Sequence, residues 1–327
     1  MPEKKLTFID RLRLGSQPKP AFPSPSSVNL TDALPPLNEK VLQAVQELEI
    51  RTRRNISSLL TGNYRSAFRG SGMQFKEFRH YEPGDDIRHM SWPITARTGR
   101  ATIKVFEEER ELDVTCLVDC SGSSLFGSKS KRKVDMYAEL MALIGLAALK
   151  SGDNVGFLFF DDKPRRFFPP KRARSQVLAA ISYLLSQPLR GNQSDVSSAI
   201  SYAANTLSNR SLVLILSDFL TPPFTQALQQ LATRHEVILL HGYDDAERGL
   251  GIAGVYEACD PETGECFPLD GNSKEIKKTL NEFQSQLTQS LEKSAEISRS
   301  DYLMLSTDDD YLQRLVRFFR RRGPSRV

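Results

Sequence analysis

A chain of 327 residues with 39% hydrophobic content can bury a sizeable core, as roughly two domains or one large domain with an extension. Its 44 basic and 40 acidic residues leave a net charge of +4, too small an excess to argue for nucleic acid. The longest apolar run, 141–149, falls short of the ~20 residues that span a bilayer; the opening MPEKKLTFIDRLRLG lacks a signal-peptide apolar segment, so the expected compartment is the cytoplasm.

In chain order, residues 1–37 include a Pro- and Ser-rich stretch, 15–37, that cannot bury enough apolar surface to fold alone. It reads as a disordered or extended N-terminal arm. Residues 38–61 carry an amphipathic helical pattern with Val41, Val45 and Leu48 on one side, and RTRR at 51–54 is its solvated face. Residues 62–110 are dense in Gly, Arg and aromatics and show little helical periodicity. Within them YEPGDD predicts a turn and ATIKVF a strand. The block 38–110 is thus set apart from a domain over 111–322, and 323–327 is a tail.

From 111 onward strand and helix patterns alternate. LDVTCLV is a strand; 134–150 is a helix apolar almost all round, ending near Gly152. NVGFLFF and PRRFFPP flank the turn DDK as a hairpin. Helices follow at 172–187 and 195–207, then the buried strand SLVLILS, a helix at 223–233 and the strand HEVILLHG. A second hairpin turns around Glu262-Thr263-Gly264. A long helix at 273–299 has Ile276, Leu280, Phe283, Leu287 and Leu291 along one stripe, with Asn272 and Glu275 as a capping box. DYLMLS is the last strand and DDYLQRLVRFFRRR the last helix. Strands separated by helices predict an α/β fold: a doubly wound, mostly parallel sheet covered on both faces, plus an N-terminal irregular or β extension.

The cysteines, Cys116, Cys120, Cys259 and Cys266, form no CxxC pair, and histidine is scarce. That excludes a zinc framework and predicts free thiols, with a Cys259–Cys266 bridge across the second hairpin as the less favoured alternative.

In a doubly wound sheet the ligand sits beyond the carboxyl ends of the strands, at the switch point. Three loops lie there. VDCSGSSLFGSKSK, residues 118–131, spaces Gly122 and Gly127 like a phosphate loop, but Ser128 stands where the lysine belongs and Lys129 comes one place late. The same loop presents Asp119, Ser121 and Ser123 in alternation, able to point one way. GNQSDVSS, 191–198, offers Ser194 and Asp195, and SLVLILS ends in Ser217-Asp218. Any one loop is read as simply as a helix or turn cap. Together they assemble hydroxyls and carboxylates without imidazole or thiolate. That is the chemistry of a hard cation, magnesium preferring six oxygens at about 2.1 Å. With few carboxylates such an ion keeps residual positive charge for a partner's carboxylate.

This set resembles the metal-ion-dependent adhesion site of von Willebrand factor A (vWA) domains, in which Asp-x-Ser-x-Ser follows the first strand, a Thr lies in the second loop and an Asp in the third. Ser194 keeps the hydroxyl of the usual Thr, and Phe219 stands where many A domains have Gly. The resemblance implies a divalent ion, Mg2+ or else Mn2+ or Ca2+, held by Asp119, Ser121, Ser123, Ser194 and Asp218. The upstream block resembles the signature of the bacterial family called domain of unknown function 58 (DUF58), through Gly70, Gly72, Phe75, Arg79, Tyr81, Gly84, Asp85, Asp86, Arg88, Trp92, Ala96 and Arg97. The likeness runs over about 38–305. Many members carry two N-terminal membrane helices, and this chain resembles the short form without a membrane span. Members are often encoded beside a MoxR-type AAA+ ATPase, which implies an adaptor or co-chaperone acting with that ATPase on client complexes.

Arg79, Asp85, Asp86, Arg88, Trp92 and Arg97 are the candidates for docking a protein partner, set against an internal Arg–Asp lattice that braces the segment on the A domain. Nucleic acid is a distant third, because Asp85 and Asp86 repel phosphate. The leading function is a non-enzymatic, metal-dependent protein-binding module with no catalytic residues. The alternative is a magnesium-dependent phosphohydrolase, and nucleotide binding ranks third. Asp119→Ala is expected to abolish magnesium-dependent partner binding and to leave the fold intact.

Overall fold

The computed structural model describes residues 73–108, 112–129, 131–186, 193–249, 251, 253–259, 266–308 and 310–322. The arm at 1–37, the helical pattern at 38–61 and the tail at 323–327 lie outside the described residues. The first element is an antiparallel hairpin of β1 (Met73–His80) and β2 (Thr102–Glu108), in register from Met73↔Glu108 to His80↔Thr102 with one shift between Phe75 and Glu77. Its connection is not irregular, as the sequence suggested. Gly84, at φ +111°, makes the EPGDD turn, Asp86 caps a 3-10 turn at Ile87–His89, and α1 (Trp92–Thr98) ends on Gly99 at φ +69°. A seven-residue helix is too short for its periodicity to stand out, and Pro93 at its start reads equally as a turn.

The remaining elements are β3 (Asp113–Asp119), a 3-10 turn (Gly122–Leu125), α2 (Lys133–Ser151), β4 (Asn154–Phe160) and β5 (Pro164–Lys171). Then come α3 (Arg174–Ser186), α4 (Val196–Thr206), β6 (Ser211–Ser217), α5 (Thr225–Ala232) and β7 (Glu236–Tyr243). The chain closes with a 3-10 turn (Asp245–Arg248), β8 (Val255–Cys259), β9 (Cys266–Asp270), α6 (Lys274–Ser298), β10 (Asp301–Ser306) and α7 (Tyr311–Arg322). One sheet runs β10-β7-β6-β3-β4-β5, parallel throughout except for the β4–β5 hairpin. This is the doubly wound α/β architecture expected.

Strand alternation divides the core between the two faces. Val114, Cys116 and Val118 of β3 pack with α2, α3 and α7, while Leu117 faces α4, α5 and α6. SLVLILS is buried at every position, as a central parallel strand must be. The helix after β3 therefore covers one face and the helix after β6 the other. Because β3 and β6 are neighbours, their carboxyl ends flank the crevice where the winding reverses. Asp119 stands at the first of those strand ends and Asp218 directly follows the second.

Two local expectations are corrected. The cap of α6 is Ser273, whose Oγ accepts the Ile276 N–H at 3.3 Å, so the cap falls one residue after Asn272. In the β8–β9 hairpin Cys266 is disulfide-bonded, not a free thiol, and Cys259 is the residue in register with it. Direct cross-strand pairing brings the two backbones close, which the spacing in the sequence leaves open. Cys116 and Cys120 are free and buried.

Candidate functional site

Asp119 is the last residue of β3 and is 1% exposed. Beyond it the Cys120 N–H still donates to Phe160 O at 2.8 Å, and the chain then turns sharply. The Ser121 N–H returns to Asp119 Oδ1 at 2.9 Å, and Ser124 Oγ donates to the Asp119 carbonyl at 3.1 Å. This turn sets Ser121 Oγ and Ser123 Oγ 3.1 Å apart, both residues buried. Ser194, just before α4, donates its hydroxyl to Asp119 Oδ2 at 2.7 Å; Ser217, at the end of β6, donates to the same oxygen at 2.6 Å. Asp218 follows, hydrogen-bonded by the Ser123 hydroxyl and accepting the Leu220 N–H on Oδ1 at 3.2 Å. All five residues named from the sequence thus join one buried cluster. Asp195, offered by the same loop as Ser194, does not: it caps α4 by accepting the Ser198 N–H at 3.1 Å.

The third loop owes its shape to Phe219. It adopts φ +55°, the left-handed conformation that Gly takes without strain. Its ring is buried, stacked on Phe224 with centroids 5.6 Å apart and edge-on to His241. Burial of the ring offsets the backbone strain.

Sequence reasoning missed three participants. Ser217 was passed over for its acidic neighbour. Lys133, the first residue of α2, is 0% exposed, and its Nζ donates to Asp218 Oδ2 and Glu247 Oε1, each at 2.7 Å. Glu247 lies in the 3-10 turn after β7, its other oxygen accepting the Asp244 N–H at 2.8 Å. A lysine opening an otherwise apolar helix was the available signal; the glutamate left none.

Charge in the cluster is unevenly matched. Burial, then the Asp218 carboxylate, push Asp119 up to about 6, against the bonds from Ser217, Ser121 and Ser194. Burial also opposes ionisation of Asp218, yet the Lys133 ammonium overcomes it and holds Asp218 below the ordinary carboxylate range. Glu247 is raised by burial despite the same lysine. Lys133 itself stays charged, since two carboxylates outweigh its desolvation. Nearby on α2, the Tyr137 hydroxyl is buried without a hydrogen-bond partner among the described residues, and Asp218, Asp119 and Glu247 all bear on it.

Two carboxylates share a single ammonium, Asp119 has none, and an orphaned hydroxyl stands in the field of all three. A divalent cation fits this donor set, because it would supply the charge that Asp119 lacks. No group of three or more His, Cys, Asp or Glu able to hold a metal occurs among the described residues, so the serine hydroxyls would complete such a shell. Leu125 and Phe126, at the rim of the first loop, are exposed.

The phosphate-loop residues are engaged otherwise. Lys129 pairs with Asp308 at 2.6 Å, and Ser128 Oγ donates to Asp244 at 2.5 Å. Gly127 is required by close approach: a Cβ there would strike the Lys131 carbonyl and the Arg132 Cα.

The docking candidates lie on the hairpin unit. Arg79 pairs with Asp85 at 2.8 Å, and Arg88 forks onto Asp86 at 2.7 Å, lowering Asp86 to about 2 chiefly through that bond. These pairs are local to the unit. Arg97 is exposed, as are Trp92 at 66% and Ile87 at 64%. No described helix is long and apolar enough to cross a membrane.

A family model described as "Protein of unknown function DUF58" matches residues 77–291. Uncharacterized proteins of Mycobacterium tuberculosis and Mycobacterium bovis are each 27% identical over 300 residues, covering 87% of this chain and 91% of theirs. Among solved structures, BatB from Bacteroides thetaiotaomicron is similar at a TM-score of 0.42 and 12% identity, over 64% of this chain and 98% of its own. A von Willebrand factor type A protein from Catenulispora acidiphila scores 0.37 at 13% identity, over 67% of this chain and 43% of its own.

Proposed function

The chain belongs to the DUF58 family, and on that premise we propose that it is a metal-dependent protein-binding module, an adaptor through which a MoxR-type AAA+ ATPase acts on client complexes in the cytoplasm. One observation carries the reading: the carboxylates and hydroxyls of Asp119, Ser121, Ser123, Ser194 and Asp218 converge in one buried cluster at the carboxyl edge of the sheet. These residues would hold Mg2+, or Mn2+ or Ca2+ in its place. Bound there, the ion offers a Lewis-acidic position to an acidic side chain of the partner. The chain's own part is to keep the site buried and pre-shaped. Asp119 locks the Ser194 and Ser217 loops through Oδ2, and Leu125 and Phe126 give the rim an apolar contact beside it. Trp92 and Ile87, exposed on the hairpin unit with Arg88 and Arg97 near in sequence, supply a second contact of the kind that anchors protein interfaces.

Capture of the partner ATPase by the purified chain tests this reading. Binding is expected in millimolar magnesium and lost in EDTA and in Asp119→Asn. That substitution is preferred to alanine: Asp119 ties the loops together, so alanine would cost stability, contrary to the expectation of an intact fold. Equal capture in all three conditions sinks the metal-dependent reading. Phosphoester hydrolysis by the purified chain, lost in Asp119→Asn, would replace it with the phosphohydrolase.

A further inference from the structure

Lys133 is an ammonium buried inside a cluster that is otherwise built for a cation. Its position is fixed from both ends. Its backbone N–H donates to the Phe126 carbonyl at 2.9 Å, closing the first loop, and its Nζ reaches the ends of two other strands through Asp218 and Glu247. It bonds Asp218 Oδ2, while the Leu220 N–H bonds Oδ1 and the Ser123 hydroxyl also donates to this carboxylate, so a cation would compete with all three for it. Asp119, by contrast, is bonded by Ser194, Ser217 and the Ser121 N–H and by no ammonium. The lysine therefore divides the cluster into a side that shares an ammonium, Asp218 with Glu247, and a side that has none, Asp119.

We propose that Lys133, shared between Asp218 and Glu247, is the residue that sets the cation affinity of this site, holding it low enough that the ion is retained firmly only together with an anionic partner. This rests on the reading of the site as a cation site. The physics is competition for one carboxylate. A bound ion would share Asp218 with the Lys133 ammonium, which would weaken its retention and leave more of its own charge unsatisfied. A partner carboxylate then gains what Asp218 withholds. Glu247 tunes the competition from behind: by drawing on the same ammonium, it keeps Lys133 from neutralising Asp218 fully.

The test is Mn2+ affinity by electron paramagnetic resonance, with the fold checked by circular dichroism in EDTA. The double variant Lys133→Met with Glu247→Gln removes one positive and one negative charge, so the net charge of the cluster is unchanged while Asp218 is freed. Its Mn2+ affinity is expected to rise by about tenfold or more, the scale of one charge-assisted hydrogen bond. Glu247→Gln alone retains the Lys133–Asp218 pair and moves the other way, lowering affinity several-fold, so the proposal stays testable if the double variant does not fold. Wild-type affinity in both variants, with Mn2+ binding still abolished by Asp119→Asn, overturns the role of Lys133 and leaves the cation site standing. Absence of Mn2+ binding at millimolar concentration in the wild type and in both variants overturns the site and this proposal together.

Discussion

In the hairpin unit, Arg88 pairs with Asp86 at 2.7 Å while its side chain is 88% exposed. In the sheet domain, Lys133 pairs with Asp218 at the same 2.7 Å with its side chain wholly enclosed. The distances are equal and the consequences are not. Water screens the first pair and hydrates either ion alone, so the pair adds little. The second is enclosed by protein, so each charge depends on its partner and the loss of one strands the others. The hairpin unit spends its charges and aromatics on a surface, and the sheet domain gathers similar groups into a pre-set interior.

The contrast is sharpest for single substitutions of the ammonium. Lys133→Met alone leaves the buried Asp218 and the partly buried Glu247 without their counter-ion and is expected to cost about 3–5 kcal/mol in urea unfolding. A loss below about 1 kcal/mol would mean that the pair is more hydrated than its burial implies.

A smaller effect is expected from pH. His241 is buried, its Nδ1 within 2.7 Å of Tyr302 Oη and its Nε2 without a partner among the described residues. Burial depresses it from the ordinary 6.5 to about 4, with Asp218 opposing and Lys133 and Arg248 assisting. The folded state thus keeps it neutral where the unfolded chain takes up a proton. Its contribution is fully present above pH 6.5 and is lost as pH falls toward 4, a change of about 3 kcal/mol. Asp119, raised to about 6, acts in the opposite sense between that pH and the ordinary 3.8. The measurement is therefore the stability difference between wild type and His241→Phe at pH 7 and at pH 4. A difference independent of pH would show that this histidine is not held neutral.

The smallest effect belongs to the surface. Arg88→Ala should leave the melting temperature within experimental scatter, because both members of its pair face water. A clear drop in melting temperature would instead place the hairpin unit's charges in a bracing role.

Much of this was legible in the chain. The alternation of SLVLILS-type runs with amphipathic helices gave the layers, because burial on both faces demands continuous apolar strands and periodicity survives any context. D-x-S-x-S followed by Ser194 and Asp218 gave the cluster, because local spacing fixes which loops hold oxygens. Residues 92–98 hid their helix, since a single turn or two leaves no period to count. Phe219 hid its left-handed backbone, since residue type alone predicts the opposite.

The sequence by itself determined the order of elements, the winding of the sheet and the oxygen chemistry available at its carboxyl edge; these follow from periodicity and residue type, which are local. Only the tertiary structure decided that Lys133 stands between Asp218, 85 residues away, and Glu247, 114 residues away. No spacing rule links such positions. They meet because neighbouring parallel strands end at one edge, and a buried ammonium there is held by the carboxylates that its surroundings bring to it.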